Sequence, residues 1–305
     1  MNAMGLTLNR GSKGLLVDPT NGQADLQNRE LRATNSYVFY DDPARIFRLV
    51  RFQHVLGFTL APRLQTQLDN ALASALQKHS SGSVLAAEVR ALAGEANAVN
   101  ALEAFDKLGL LTALCPGLSG ARLNASGLTK FEKLLHGVLP SGTETAGIAF
   151  LHILTEKLGS RERTELLATF GLSKPEADQM KQLDAQAKKL EALLKSAKVT
   201  RPSHIYEAIH AASSDVVLMV LYSSAQRMVQ DRIRTYYQKY LGQAQEITEE
   251  QIAATGLKPG TPKFHKALRD RVAAHLNARP KKIVVPEPEV VVIPPMNGRR
   301  KTSGA

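Results

Sequence analysis

Leucine and alanine recur at helical spacing through most of this chain, and that periodicity restricts the fold more than any other feature. Leu68, Ala71, Leu72, Ala75 and Leu76 fall at i, i+3, i+4, i+7 and i+8, the apolar stripe of an amphipathic helix. Similar patterns recur near 83–93, 97–109, 128–138, 144–158, 161–170, 174–197, 202–212, 214–241, 248–255 and 261–278, separated by short Gly, Pro or Ser connections. A 305-residue chain with 44% hydrophobic residues has enough apolar surface for a sizeable core. Aromatic residues are only 5% and tryptophan is absent, so aliphatic helix faces must build that core. The spacing predicts a mainly α protein.

The first 30 residues read differently. Leu6-Thr7-Leu8 and Leu15-Leu16-Val17 are short strand candidates joined through the turn-rich Asn9–Gly14, and Asp18–Gln23 reads as a second turn. An isolated hairpin buries too little to stand alone, so these strands are expected to edge a sheet whose other strands lie elsewhere. A helix is expected to start at Pro43, where the missing N–H costs nothing, and to end at Gly57. Beyond Arg279 the prolines and Arg299-Arg300-Lys301 predict a disordered basic tail over 280–305. The single cysteine, Cys115, sits in an apolar stretch and reads as buried filler in a reducing compartment. The first residues do not form a signal peptide, and no run approaches the roughly 20 apolar residues of a membrane span, so no membrane partner is expected and the location reads as cytoplasmic. The net charge of +11 suits a polyanionic partner, against the plainer reading of a merely basic surface.

The segment Asp41-Asp42-Pro43-Ala44-Arg45-Ile46-Phe47-Arg48-Leu49-Val50-Arg51-Phe52 carries the most chemistry. Asp42 and Arg45 are three apart across a helix start and can share a face. One reading is an Asp cap with a salt-bridged Arg. The other is base recognition. A carboxylate only accepts hydrogen bonds and a guanidinium only donates them. Side by side they match an exocyclic amine next to a ring-nitrogen acceptor, the edge shared by cytosine and adenine. Uracil and guanine present the opposite pattern and would leave both groups unpaired.

This segment, followed by Gly57-Phe58, resembles the E/D-D-P-x-R-x-x-R-x-x-R-F motif of class II tRNA nucleotidyltransferases (CCA-adding enzymes) and bacterial poly(A) polymerases. Asp18-Pro19-Thr20-Asn21-Gly22-Gln23-Ala24-Asp25-Leu26 and then Leu31-Arg32 resemble stretches upstream of that motif. Ile247-Thr248 leading to Gly256-Leu257-Lys258-Pro259-Gly260 resembles the family's C-terminal signature. The resemblance runs to about residue 278. It implies that Asp42 and Arg45 read the incoming base, that Arg48 and Arg51 lie near the triphosphate or pack the neck, and that Asn2 belongs to the nucleotide-binding set. It also implies that the turn of Lys258, Pro259 and Gly260 touches the RNA backbone; Lys263 and Lys266, basic residues on the helix that follows, read either as phosphate contacts or as a solvated helix face. The implied partners are CTP, ATP and the 3′ end of tRNA or another RNA.

By the same resemblance, 1–30 is the remnant of a nucleotidyltransferase head, 31–118 the neck and base-reading domain, 119–241 a helical body and 242–279 a tRNA-contacting tail. The intact family member would add C and A with Mg2+. The family's metal-binding D-x-D carboxylates precede the first strand and have no counterpart here. No catalytic or metal-ligating residue is therefore assigned, and Asp18 and Asp25 are expected to be structural. A separate or missing head is one expectation. A non-catalytic RNA-binding module, or a fragment without turnover, is the alternative. His152 lacks the aspartate that follows it in the metal-binding dyad of some relatives, so it reads as a core or helix-surface histidine.

Overall fold

The computed structural model describes residues 4–140 and 146–278, so Asn2 and the segment 280–305 lie outside the described residues. Gly5–Leu6 (β1) and Leu16–Val17 (β2) pair antiparallel, with Gly5 opposite Val17 and Leu6 opposite Leu16. The hairpin is fully exposed, and Leu8 is 83% accessible. The next segment begins with the expected turn and then runs on into a helix. The carboxylate of Asp18 accepts from the backbone N–H of Gly22 at 2.7 Å and of Gln23 at 2.8 Å. It thereby satisfies the orphan donors of a short helix, Gly22–Asn28 (α1). Those two N–H groups hold the Asp18 carboxyl below its ordinary range. Glu30–Leu31 (β3) then pairs in parallel with Thr59–Leu60 (β4). The expected turn is present over Asp18–Asn21, where the Asn21 N–H reaches the Asp18 carbonyl, but Gly22 and Gln23 already belong to the helix, and a parallel strand follows it.

Val38–Asp41 (α2) stops because Asp42 precedes proline and is extended, at φ −151° and ψ 94°. The next helix consequently starts at Arg45, two residues after Pro43. It is Arg45–Leu56 (α3), closed by Gly57 at φ +63°, whose N–H reaches the carbonyl of Gln53. Pro62–Ala73 (α4) carries the leucine–alanine stripe only as far as Ala73. Ala75, at φ +52°, turns the chain into a short 3-10 segment, so Leu76 continues the stripe outside the helix. Gly82–Arg90 (α5), Ala98–Lys107 (α6) and Leu110–Leu114 (α7) complete the first half. Gly109, at φ +67°, separates the last two.

The second half holds Ala125–Val138 (α8), Gly147–Leu154 (α9), Ser160–Thr169 (α10), Lys174–Lys195 (α11), Pro202–His210 (α12) and Ser214–Ser223 (α13). All seven residues from Ile148 to Leu154 are buried, and α11 packs along α13. The single helix expected over 214–241 is broken at Ser224. Its backbone is extended; its hydroxyl donates to Glu191 at 2.6 Å and accepts from the Gln226 N–H at 3.2 Å. Arg227–Thr235 (α14) follows and continues into a π turn over Tyr236–Tyr240, then Leu241–Gln245 (α15). Glu249–Ala253 (α16) and Pro262–Asn277 (α17) end the described chain. Among the described residues no single helix is long and apolar enough to cross a membrane.

One buried cluster runs from Phe39 to Tyr236, and a small second one is centred on Ala244, Val272 and Leu276. In the first, α3 packs on α6, and the rings of Phe47 and Phe105 meet edge to face at 5.4 Å. Both are 0% exposed. Phe105→Ala is expected to destabilise the protein by about 3–5 kcal/mol, read from denaturant unfolding, because it leaves a cavity behind the helix that presents the Asp42–Arg51 motif. A loss under about 1 kcal/mol would mean that this contact does not hold α3 in place.

Candidate nucleotide-binding cleft

The parallel β3–β4 pair brings the segment after β2 against α3. Between them lies a cleft of about 1110 Å³. Leu26, Leu31, Phe52, Leu56 and Phe58 supply its apolar surface, Arg32, Arg45, Arg48 and Arg51 its positive charge, and Asp25 and Glu30 its negative charge. Rings and guanidiniums in one cleft suit a ligand with a flat base and a polyphosphate.

Each of the four guanidiniums is held by a carboxylate. Arg32 donates from Nε and Nη2 to Asp25 at 3.1 Å and also reaches the Thr20 carbonyl. Arg45 Nε donates to Asp42 Oδ2 at 3.3 Å, while Asp42 Oδ1 accepts from the Ala44 N–H at 3.1 Å. Nε and Nη2 of Arg48 both lie 2.8 Å from Glu88 Oε1. Arg51 donates to Glu88 Oε2 at 3.0 Å and to Glu95 at 3.4 Å, with its guanidinium 4.6 Å from the centre of the Phe52 ring. The Asp42–Arg45 pair is half exposed and contributes little to stability by itself. The Glu88 side chain is 7% exposed and must be paired to sit there.

The structure therefore brings together Arg45, Arg48 and Arg51 in one cleft. Asp42 adjoins it through Arg45 and is not among the lining residues. Asp18 is engaged with the α1 N-terminus, and Asp25, which also lines the cleft, with Arg32. Arg32 and Glu88 were not assigned roles from the sequence. Glu88 did leave a signal, an acid on the apolar stripe of Leu85, Ala86, Val89 and Leu92. Among the described residues no group of three His, Cys, Asp or Glu is placed to hold a metal ion.

The expected RNA-contacting turn lies apart from the cleft, between α16 and α17. Gly256 at φ +84° and Gly260 at φ +78° open it, and Thr261 closes it by accepting from the Phe264 N–H at 3.2 Å. Lys258, Pro259, Gly260, Lys263 and Lys266 are all exposed.

His152 is buried on α9, where its Nδ1 faces Arg163 Nη2 at 2.9 Å and its Nε2 faces Asp184 at 3.2 Å. An arginine only donates, so Nδ1 accepts and Nε2 carries the proton. Burial, with help from Arg163, lowers the histidine's pKa despite Asp184. The unfolded chain takes up that proton first, so stability contributed by neutral His152 is present above about pH 6.5 and is lost as the pH falls below it. Unfolding free energy is expected to drop more steeply between pH 7 and pH 5 in the native protein than in His152→Gln. Parallel pH profiles would contradict the assignment.

No family model matches the chain. Over 285 residues, 91% of this chain, it is 24% identical to an A-adding tRNA nucleotidyltransferase of Geobacter sulfurreducens, covering 32% of that protein. It is 41% identical over 80 residues to a multifunctional CCA protein of Aliivibrio salmonicida, across 24% of this chain and 19% of that one. The chain thus spans about a third or less of the length of these two relatives. In fold it resembles a tRNA nucleotidyltransferase solved with a primer tRNA and an incoming ATP analogue, with a TM-score of 0.57, 22% identity and coverage of 79% of this chain and 70% of that one. The likeness is one of fold: a mainly helical scaffold shared with that structure. In sequence the chain is thus similar to parts of A-adding and CCA-adding tRNA nucleotidyltransferases.

Proposed function

We propose that this chain selects the incoming nucleotide and holds the RNA 3′ end for addition of A, or of C and A, to tRNA. The observation that carries this reading is the cleft in which four braced guanidiniums surround an apolar surface beside the Asp42–Arg45 pair. At its rim, an Asp42 oxygen accepts from the exocyclic amine of cytosine or adenine while Arg45 donates to the adjacent ring nitrogen. Arg32, Arg48 and Arg51 face the phosphates, and Phe52 and Phe58 offer rings for the base. Residues 31–118 act as neck, 119–241 as body and 242–279 as the tail whose Lys258–Gly260 turn, with Lys263 and Lys266, touches the RNA backbone.

Phosphoryl transfer in such a reaction uses a metal ion, with Mg2+ expected, to neutralise charge. The described residues do not fit that group: they gather no metal seat, and Asp18 and Asp25 are already engaged. A nucleotidyltransferase head would have to supply those ligands, and the exposed β1–β2 hairpin is the edge it would extend. The relatives named above, proteins that act on tRNA, and the solved complex with primer tRNA and an ATP analogue support the choice of substrates.

The test is equilibrium binding of a tRNA lacking its 3′ CCA, measured across salt concentration. Affinity that falls steeply with salt, and survives competition by an equal mass of duplex DNA, is the expected result. Binding no tighter to tRNA than to duplex DNA would reject the reading.

A further inference from the structure

A second groove, away from the arginine cleft, lies between α8 and the α14–π segment and encloses about 560 Å³. Lys130, Lys133 and Arg234 line it with the polar side chains of Ser126, Thr129 and Gln238, over a base of Leu134 and Val138. No carboxylate is among its lining residues. That contrasts with the arginine cleft, where every guanidinium is braced by an acid. Lys130 is committed: its ammonium donates to the Tyr222 carbonyl at 2.5 Å and lies 5.1 Å from the centre of the Tyr222 ring. Lys133 and Arg234 are exposed, and neither has a carboxylate within ion-pair distance among the described residues.

The groove wall is also where helix geometry changes. The chain leaves α14 one residue after Arg234 and enters the π turn Tyr236–Tyr240, which contributes Gln238 to the lining. Single π turns are rare and concentrate at functional sites. Two cations without an acidic partner lining one groove, with the Ser126 hydroxyl and the Gln238 amide beside them, make a poor structural feature by themselves, since like charges repel. They make a good seat for an anion that accepts hydrogen bonds from both walls.

We propose that this groove holds the sugar-phosphate backbone of the RNA, with Lys133 and Arg234 each neutralising one phosphate. The proposal rests on the RNA-holding role given above and adds a site to it. Lys130, fixed on Tyr222, sets the groove's edge, while Ser126 and Gln238 donate to phosphate or ribose oxygens; the Thr129 hydroxyl is spent on the Ala125 carbonyl. Such contacts position the RNA without reading its sequence.

The experiment measures tRNA affinity against salt concentration for the native protein and for Lys133→Gln with Arg234→Gln, with a thermal melt to confirm that the variant folds. The double variant is expected to bind more weakly at low salt. Its log–log salt dependence should be shallower by about two, one for each lost phosphate contact. An unchanged slope in a folded variant would overturn the groove assignment and leave the function reading standing. Failure of the native protein to bind tRNA at all would overturn the function reading, and this inference with it. A slope change reproduced with polyglutamate in place of tRNA would also overturn it, because the groove would then be a seat for any acidic chain.

Discussion

Glu88→Leu is expected to lower the unfolding free energy by about 3 kcal/mol, the cost of leaving a buried charge without its partner. The reason lies in the asymmetry between the two arginines that Glu88 holds. Arg48 is half exposed and returns to water when released. Arg51 is 12% exposed, packed on Phe52, and keeps only the longer contact to Glu95 at 3.4 Å. Glu88→Gln retains an acceptor and the shape of the side chain, so it should lose less than the leucine variant. Denaturant unfolding at neutral pH orders the three proteins as native, glutamine, leucine. A leucine variant as stable as the native protein would mean that the buried ion pairs are replaceable packing. It would also remove the argument that Glu88 sets the direction of Arg48 and Arg51 in the cleft.

The Asp42–Arg45 pair carries the second large expectation. Each donor or acceptor left facing a like group costs about 1–3 kcal/mol, so two mismatches amount to a preference on the order of 10²-fold for CTP and ATP over UTP and GTP. Asp42→Asn is expected to collapse that preference, because an amide can donate to a carbonyl as readily as it accepts from an amine. Arg45→Ala should weaken all four nucleotides, since it removes a cation lining the cleft as well as the ring-nitrogen donor. The measurement is competition of the four nucleoside triphosphates for the cleft with tRNA present. Selectivity unchanged in Asp42→Asn would leave the pair as a helix-start salt bridge and nothing more.

The sequence carried the helical stripes because they are local: a face of Leu and Ala at 3.6-residue spacing needs no partner to be recognised. The same holds for Gly57, whose positive φ ends α3 where expected. What could not be read was whatever depends on a distant partner. The parallel pairing of β3 with β4 joins two-residue strands nearly thirty positions apart, and two residues show no period. The α1 helix depends on a side chain outside it, Asp18, so its first two residues read as the end of the turn that precedes it. The long pattern over 214–241 gave no sign that Ser224 would leave the helix to bond Glu191. In the cleft, the motif placed Arg45, Arg48 and Arg51 on one helix. The acid that orients two of them sits on α5, some forty residues away. For His152 the absence of a following aspartate was visible, but its partner, Asp184, arrives from α11.

The central claim is that the cleft between the 19–34 segment and α3 receives the nucleotide. Photolabelling with 8-azido-ATP in the presence of tRNA, followed by peptide mapping, tests it most directly. The account predicts label on peptides spanning 19–34 and 45–58, suppressed by excess CTP or ATP and lost in Arg45→Ala. Label confined to other segments, or label on these peptides that excess ATP does not displace, would contradict it.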